Sequence, residues 1–458
     1  MKKVLFAACI ALLCACTSSP QMIKTPAPPR PAGQSDVLGL TCEKLDTVRV
    51  GFIGLGMRGP GAVNRFTHID GVKITALCDL LPERVAEAQK ILARQGLPAA
   101  AEYSGEDGWK ELCKRDDIDL VYIATPWQKH VPMAVFALQQ GKHTAIEVPA
   151  ATNIDECWQL VDAAEKSRRH CMMLENCVYD FFELTSLNMA QKGLFGEILH
   201  VEGAYIHNLE EYWDAYQGDW RLDFNRRNRG DVYATHGLGP ACQLLDIHRG
   251  DRMTYLVAMD TKAVTGAATV EKRTGEPCTD FRNADHTMTM IMTENGRTIH
   301  LQHDVMNPRP YSRMYQITGT AGFASKYPVE GYTFRPEAGE GGALPDYEAL
   351  DVHRFITGAQ KDSIMAMYKH PIHRELESMA RRVGGHGGMD YIMDSRLVYC
   401  LRNGLPLDQD VYDAAEWSCI GDLTRISLEN GSMPVEIPDF TRGGWNKIKG
   451  YEHAMAKQ

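Results

Sequence analysis

Gly54-Leu55-Gly56-Met57-Arg58-Gly59 follows at once on the β-branched run Val48-Arg49-Val50-Gly51-Phe52-Ile53. A glycine-x-glycine-x-x-glycine run after a strand is suited to a pyrophosphate. Gly54 makes the tight turn, Gly56 lets the backbone approach the phosphates, and Gly59 lets the next helix pack on the sheet. The N–H groups at that helix start then meet the phosphates. Asp79 ends a second strand-forming run, Lys73-Ile74-Thr75-Ala76-Leu77-Cys78, 25 residues after Gly54. A carboxylate there accepts from ribose hydroxyls and repels a 2′-phosphate, which favours NAD over NADP. Arg58 points the other way, because an arginine in this loop can contact a 2′-phosphate. The remaining chemistry-bearing residue is His236, between Thr235 and Gly237-Leu238-Gly239. Its place reads as a glycine-rich strand-to-helix junction, where an imidazole can exchange protons near neutral pH.

The elements around these residues alternate. A helix is expected over Pro82 to Gln95, a strand over Asp119 to Ala124, a helix over His130 to Gln140 and a strand over His143 to Glu147. That order predicts a parallel sheet, with ligands collecting at loops such as Thr125-Pro126-Trp127-Gln128-Lys129-His130. After Asn176 the runs lengthen and become antiparallel in character: Ile198 to Ile206, Tyr255 to Ala263, Thr287 to Thr293, Thr298 to Val305 and Tyr315 to Thr320. They predict an open sheet with one face on helices and the other covering the nicotinamide. Asp280 to Asp285 and Ala338 to Gly342 read as loops, and His386-Gly387-Gly388 as either a pocket rim or a helix start. The fold class is thus α/β: a Rossmann dinucleotide-binding domain over 47–177 and an α+β domain with a large, mostly antiparallel open sheet over 178–440. Residues 441–458 form a tail.

The chain has 458 residues, 44% of them hydrophobic and 24% charged, which is ordinary globular composition. With 49 Lys and Arg against 59 Asp and Glu, the formal charge is -10, and no basic run offers a nucleic-acid footprint. The apolar stretch Val4 to Cys14 is too short to span a bilayer. With Lys2 and Lys3 before it and Leu13-Cys14-Ala15-Cys16 at its end, it matches a lipoprotein signal peptide over 1–16, with Cys16 as the lipidated residue. Export and a lipid anchor in the bacterial cell envelope follow, in the outer membrane by the resemblance of Thr17 to known lipoproteins. The Ser-, Thr- and Pro-rich stretch 17–46 reads as a flexible tether.

Thirteen cysteines invite a disulfide framework, but Cys9, Cys14 and Cys16 lie in the leader. The other ten are scattered through apolar segments without a paired spacing and read as small buried hydrophobes. His370 and His373 are a weak i,i+3 match for a metal and read as solvated surface, so no metal is expected.

Glu147-Val148-Pro149 resembles the Glu-Lys-Pro signature of the glucose-fructose oxidoreductase/inositol dehydrogenase/MocA superfamily, with valine where the lysine should stand. The superfamily's catalytic histidine place holds Gly239 or Pro240. These departures form a pattern of their own. Gly54 to Gly59, Pro126 to His130, Leu174-Glu175-Asn176, Asn228 to Gly237, Arg309-Pro310-Tyr311, His386 to Asp390, Cys400 to Asp408 and Asp413 to Trp417 together resemble glycoside hydrolase family 109. The resemblance spans Val48 to about Asp439.

That resemblance implies an α-N-acetylgalactosaminidase that uses NAD although the net reaction is hydrolysis, an exception to the two-carboxylate scheme of most glycosidases. The implied route is oxidation of the sugar C3 hydroxyl, which acidifies the C2 proton. Elimination of the C1 substituent, addition of water and return of the hydride follow. The cofactor contacts it implies are Met57, Arg58, Asp79, Trp127, Gln128, Lys129, His130, Glu147, Val148 and Asn176, beside Gly54, Gly56 and Gly59. Its implied sugar contacts are Tyr205, Arg221, Tyr233, Ala234, Thr235, His236 and Tyr311. His236 and Tyr233 are taken as the proton-handling pair, with Tyr311 assisting. Without the resemblance, Tyr205 would read as sheet packing and Tyr311 as a turn residue. The partners implied are a glycan with terminal α-GalNAc and the lipid anchor, with a homo-oligomer allowed. Two other readings stand beside this one: a sugar oxidoreductase, and a non-catalytic glycan-binding lipoprotein.

Overall fold

A computed structural model describes residues 22–344 and 350–455. The signal peptide and Cys16 lie outside the described residues. The first sheet contains β1 (Val48–Ile53), β2 (Val72–Asp79), β3 (Ala101–Ser104), β4 (Leu120–Ile123), β5 (His143–Ile146) and β6 (Cys171–Met173). It is parallel throughout, in the order β3-β2-β1-β4-β5-β6. β1, β4 and β5 are buried along almost their whole length, as a sheet covered on both faces requires.

The second sheet contains β7 (Ile198–Ile206), β8 (Met253–Asp260), β9 (Thr287–Thr293), β10 (Thr298–Asp304), β11 (Ser312–Gly319), β12 (Gly322–Ser325), β13 (Gly331–Phe334) and β14 (Val435–Glu436). Its order is β13-β12-β11-β7-β10-β9-β8-β14. Pairing is antiparallel except between β7 and β10, which run parallel, so the sheet is mixed and mostly antiparallel, as expected. β9 alternates buried Thr287, Thr289 and Ile291 with the exposed Met288 and Met290. Met259 on β8 and Leu199 on β7 are exposed too, at 61% and 45%.

One expectation about this sheet is corrected. The face that covers the cleft is the same face that packs on helices. Gly203 and Tyr205 lie two residues apart on β7 and so share a face. A Cβ on Gly203 would stand 2.3 Å from Gly237 O, and one on Gly237 would stand 2.4 Å from Ala204 N. This double absence of side chains lets the helix Thr235–Leu244 sit directly on the strand. One pleat along, Tyr205 faces the cleft.

Residues 22–46 are not a free tether. Ile23 N–H donates to Pro434 O at 2.9 Å, and Glu436 N–H donates to Ile23 O at the same distance. Arg30 makes a bidentate pair with the buried Glu165 at 2.9 and 3.1 Å. Val37 is buried, with its N–H on Tyr412 Oη. The polar, proline-rich composition describes the local chain, whereas these side-chain partners lie 135 and 375 residues away. The C-terminal stretch through residue 455 likewise belongs to the second domain. Tyr451 is buried under Arg249, whose guanidinium lies 4.7 Å from its ring, and its hydroxyl meets Gln243 and Asp408 O.

His370 and His373 are buried rather than solvated. His370 caps the helix Pro371–Val383 through Ile372 N–H, and His373 Nε2 lies 3.3 Å from Tyr179 O. Residues Pro336–Gly342 form a short 3₁₀ segment rather than an open loop. All ten cysteines after the leader are unpaired, and all but the half-buried Cys42 are buried. Among the described residues no helix is long and apolar enough to cross a membrane.

Candidate active site

The cofactor end is built by β1 and β2. Gly54 leaves β1 with φ +93°, and a Cβ there would stand 2.5 Å from Ala124 O. A Cβ on Gly59 would stand 2.0 Å from Gly54 O, so Gly59 lies under the turn rather than on the cleft. Asp79 Oδ2 accepts the Leu55 N–H at 2.6 Å and Oδ1 accepts the Leu81 N–H at 3.0 Å. The acid therefore also shapes the glycine-rich loop. Arg84, and not Arg58, is its neighbour, at 3.7 Å. Arg58 turns to Glu147 and Asp390, each at 3.3 Å, and so is not the residue that would meet a 2′-phosphate beside Asp79.

These features fit a dinucleotide. The cleft beside them has a volume of about 920 Å³, in the upper part of the roughly 300–1,000 Å³ range of small-molecule sites. Gly54, Gly56, Met57, Arg58, Asp79, the segment Trp127 to His130, Glu147, Val148 and Asn176 all line it. His130 is fully buried, with its two ring nitrogens each 2.8 Å from a carbonyl, Thr125 O and Pro149 O. Its imidazole holds the loops in place. Gly59→Ala is expected to force the turn open at about 1–3 kcal/mol, weakening NAD binding roughly ten- to hundredfold. Calorimetric titration of the apoprotein measures this.

The second domain lines the opposite wall of the cleft. Tyr205, Tyr233 and His236 converge there, with ring centroids 4.4 Å apart for Tyr205 and Tyr233 and 4.9 Å for Tyr233 and His236. Arg221 lies behind them, 4.8 Å from the Tyr233 ring, 5.0 Å from Trp127 and 5.0 Å from Tyr216. Its donors reach the hydroxyls of Tyr216 and Tyr205, and its buried Nε has no partner. Among the described residues no carboxylate meets it. A desolvated guanidinium held by aromatic faces keeps its charge for an oxygen of a ligand.

His236 has a partner that the residue types alone did not single out. Its Nδ1 lies 2.8 and 2.9 Å from the two oxygens of Glu175. Glu175 is fully buried, and its Oε1 also accepts the Cys177 N–H at 3.0 Å. Burial pushes the Glu175 carboxyl up. The His236 ring and these hydrogen bonds outweigh burial and hold it below the ordinary carboxylate value. The ionised carboxylate assigns the hydrogen to Nδ1 and leaves Nε2 of His236 as the acceptor. Gly239 makes room for the pair, since a Cβ there would stand 2.9 Å from Glu175 Cγ. Burial pushes the hydroxyls of Tyr233 and Tyr205 above the ordinary tyrosine range, so both are neutral donors.

His207, at the end of β7, is a second residue that sequence reasoning missed. Its Nδ1 is 3.0 Å from Tyr205 Oη. Burial, followed by the charge of Arg221, pushes its pKa down to about 4, so the neutral ring accepts from Tyr205. Tyr311, 40% exposed at the mouth, packs on His207 at 5.1 Å and accepts from Arg313 at 3.3 Å. Among the described residues its ring contact with the tyrosine–histidine cluster is the one to His207. Ala234 and Thr235 do not line the cleft. They line a small cavity with Trp417 and Ser418 instead. Spacing explains this: Tyr233, in the turn before the helix, and His236, three residues on in its first turn, share one side, and the two residues between them turn away. The element before His236 is also a loop rather than a strand.

Comparison with known proteins agrees with this arrangement. The family model "Oxidoreductase family, NAD-binding Rossmann fold" matches residues 48–175, and "Glycosyl hydrolase 109, C-terminal domain" matches residues 179–447. The chain is 67% identical over 436 residues to glycosyl hydrolase family 109 protein 1 of Phocaeicola vulgatus, covering 95% of this chain and 93% of that protein. It is 65% identical over 451 residues to the protein of the same name from Bacteroides fragilis, covering 97% of each. Among solved structures, levoglucosan dehydrogenase in complex with NADH and levoglucosan superposes with a TM-score of 0.62 at 18% identity, over 85% of this chain and 99% of that one, a likeness of fold. A Rossmann domain that binds NAD, joined to this C-terminal domain, makes the chain a member of glycosyl hydrolase family 109.

Proposed function

We propose that the protein hydrolyses terminal α-linked N-acetylgalactosamine from glycans, with NAD as a bound catalytic group regenerated in each turnover. The observation that carries this reading is the Glu175–His236 pair, aimed at a cleft shared with the NAD-binding domain. A two-carboxylate glycosidase needs two acids flanking the glycosidic bond. Among the described residues the acids lining this cleft are Asp79, Glu106 and Glu147, all on the nucleotide-binding domain, and Glu147 is paired with Arg58.

Each residue then has a task. Gly54, Gly56 and Asp79 would hold NAD, which would supply a hydride acceptor for C3 of the sugar as the C3 hydroxyl gives its proton to solvent, making the C2 proton acidic, and a hydride donor once water has added at C1. His236 Nε2 takes that proton, with Glu175 fixing the ring and stabilising its charged form. Tyr233, kept neutral by burial, donates to the departing oxygen at C1. Arg221 holds the acetamido oxygen or a hydroxyl, and Tyr205 ties it to His207. The leader residues through Cys16 support placing this activity on a lipid anchor in the cell envelope.

The dehydrogenase-like fold favours a sugar oxidoreductase as the second reading. Purified protein incubated with p-nitrophenyl α-N-acetylgalactosaminide is expected to release p-nitrophenol with no growth of NADH absorbance. NADH formed in step with an oxidised sugar, without release of p-nitrophenol, would establish the oxidoreductase instead.

A further inference from the structure

The cleft wall of the second domain carries a ladder of ring contacts that runs outward from the proton-handling pair. Tyr233 meets Tyr205 with ring centroids 4.4 Å apart, and Tyr205 meets His207 at 5.6 Å. His207 meets two further rings, Tyr311 at 5.1 Å and Tyr212 at 5.2 Å. Exposure rises along the ladder. Tyr233 and Tyr205 are buried, whereas Tyr212 is 42% exposed and Tyr311 40%. The ladder therefore ends at the cleft mouth in two uncovered rings, and Tyr212 has no part in the chemistry above.

Both rings are anchored. Tyr212 lies in the 3₁₀ segment Glu210–Ala215, and the next residue, Trp213, is fully buried. The Tyr212 N–H donates to Leu209 O at 2.8 Å, and the buried Leu209 donates its own N–H to Val305 O at 3.0 Å. Arg273, on the helix Thr265–Thr274, ties down the far end of the loop through Asp214 at 2.7 Å and Asp219 at 2.8 Å. Tyr311 accepts from Arg313, which pairs with Asp180 at 2.8 Å and with the buried Glu183 at 2.7 Å. Anchoring keeps the two rings uncovered, and a ligand that covers them removes their apolar area from water.

A glycan has the matching surface. With its terminal sugar at Tyr205, Arg221, Tyr233 and His236, the bond to be cleaved points outward and the next pyranose arrives at the mouth. The C–H groups on one face of a pyranose pack on the face of an aromatic ring, while its hydroxyls stay in water. We infer that Tyr212, with Tyr311 beside it, is a platform for the sugar that follows the terminal residue, a leaving-group subsite that makes the enzyme favour oligosaccharides over glycosides of small alcohols. The inference rests on the glycan-cleaving reading above and adds the chemical class of the leaving group.

The test is calorimetric titration of NAD-loaded H236A protein, chosen so that glycosides are bound without turnover. The two ligands are the disaccharide N-acetylgalactosaminyl-α-1,3-galactose and methyl α-N-acetylgalactosaminide. The disaccharide is expected to bind about tenfold tighter, the effect of one aromatic contact. Adding Y212A should erase that preference and leave the affinity for the methyl glycoside within twofold. Adding Y212F should keep the preference, because the ring and not the hydroxyl makes the contact. With His236 intact, Y212A should lower kcat/KM about tenfold on the disaccharide and less than twofold on the methyl glycoside. Equal affinity for the two ligands overturns the inference, and so does a preference that survives Y212A. Equal losses on both ligands also overturn it, since they would make the loop merely structural. If the parent cleaves neither glycoside, the hydrolase reading fails, while the titration still decides the subsite.

Discussion

His236→Ala is expected to lower kcat on an α-GalNAc glycoside about 10²–10⁴-fold, the range for losing a positioned general base, while NAD content stays at the parent level. The expectation follows from the ring's two nitrogens having separate tasks. Nδ1 is committed to Glu175 at 2.8 Å, and Nε2 is the part of the ring left to face the cleft. The cofactor loop is built from β1 and β2, and none of its hydrogen bonds passes through His236. Alanine also strands a buried carboxylate, which costs about 1–3 kcal/mol in its own right. His236→Gln separates the two effects, because its amide can still donate to Glu175 but cannot act as a base. Both variants should lose turnover, and glutamine should recover stability. Initial rates, bound-NAD assay and thermal melts check this. A loss below tenfold would remove His236 from the proton-handling role.

Glu175→Gln is the companion experiment. The substitution is nearly isosteric, so the cavity beneath Gly239 stays filled, but the charge that orients the imidazole is gone. An expected loss of about 10²–10³-fold in kcat with a small change in KM marks a residue that acts through another. Stability should respond to pH in a definite direction. The folded-state pKa of Glu175 lies below its ordinary value of 4.5. Its ionisation therefore stabilises the fold above that value, and the contribution is lost as pH falls through the depressed folded value. The parent should be the more stable protein near neutrality, and the difference should shrink on acidification below about pH 4. Melting curves of both proteins across that range read it out. A difference independent of pH would mean that Glu175 is not the ionised partner of His236.

The parts of this account legible in the sequence are those that local chemistry writes. β1 and β7 are found at their expected bounds, Val48–Ile53 and Ile198–Ile206, because a β-branched run before the glycines marks the first and an alternating run the second. β3, of four residues, and β6, of three, are too short to carry such a pattern. The glycine-rich loop and Asp79 are local too. The Glu175–His236 contact joins residues 61 apart, one capping the short 3₁₀ segment after β6 and the other on the helix Thr235–Leu244, and no spacing rule announces it. Gly203 and Gly237 are the nearest thing to a signal, since both lack a side chain where two backbones meet. Ala234 and Thr235 were drawn into the site by their neighbours in sequence, and helical geometry turns them away. The docking of residues 22–46 depends on acceptors such as Pro434 O and Glu165, which only the folded chain brings near.

The central claim is that cleavage proceeds by removal and return of the sugar C2 proton while NAD is never consumed. It is tested most directly by hydrolysing an α-N-acetylgalactosaminide in D₂O and examining the released sugar by proton NMR and mass spectrometry. The account predicts deuterium at C2 of the product, formed with no net NADH. Full retention of the original C2 proton during NAD-dependent cleavage would contradict it.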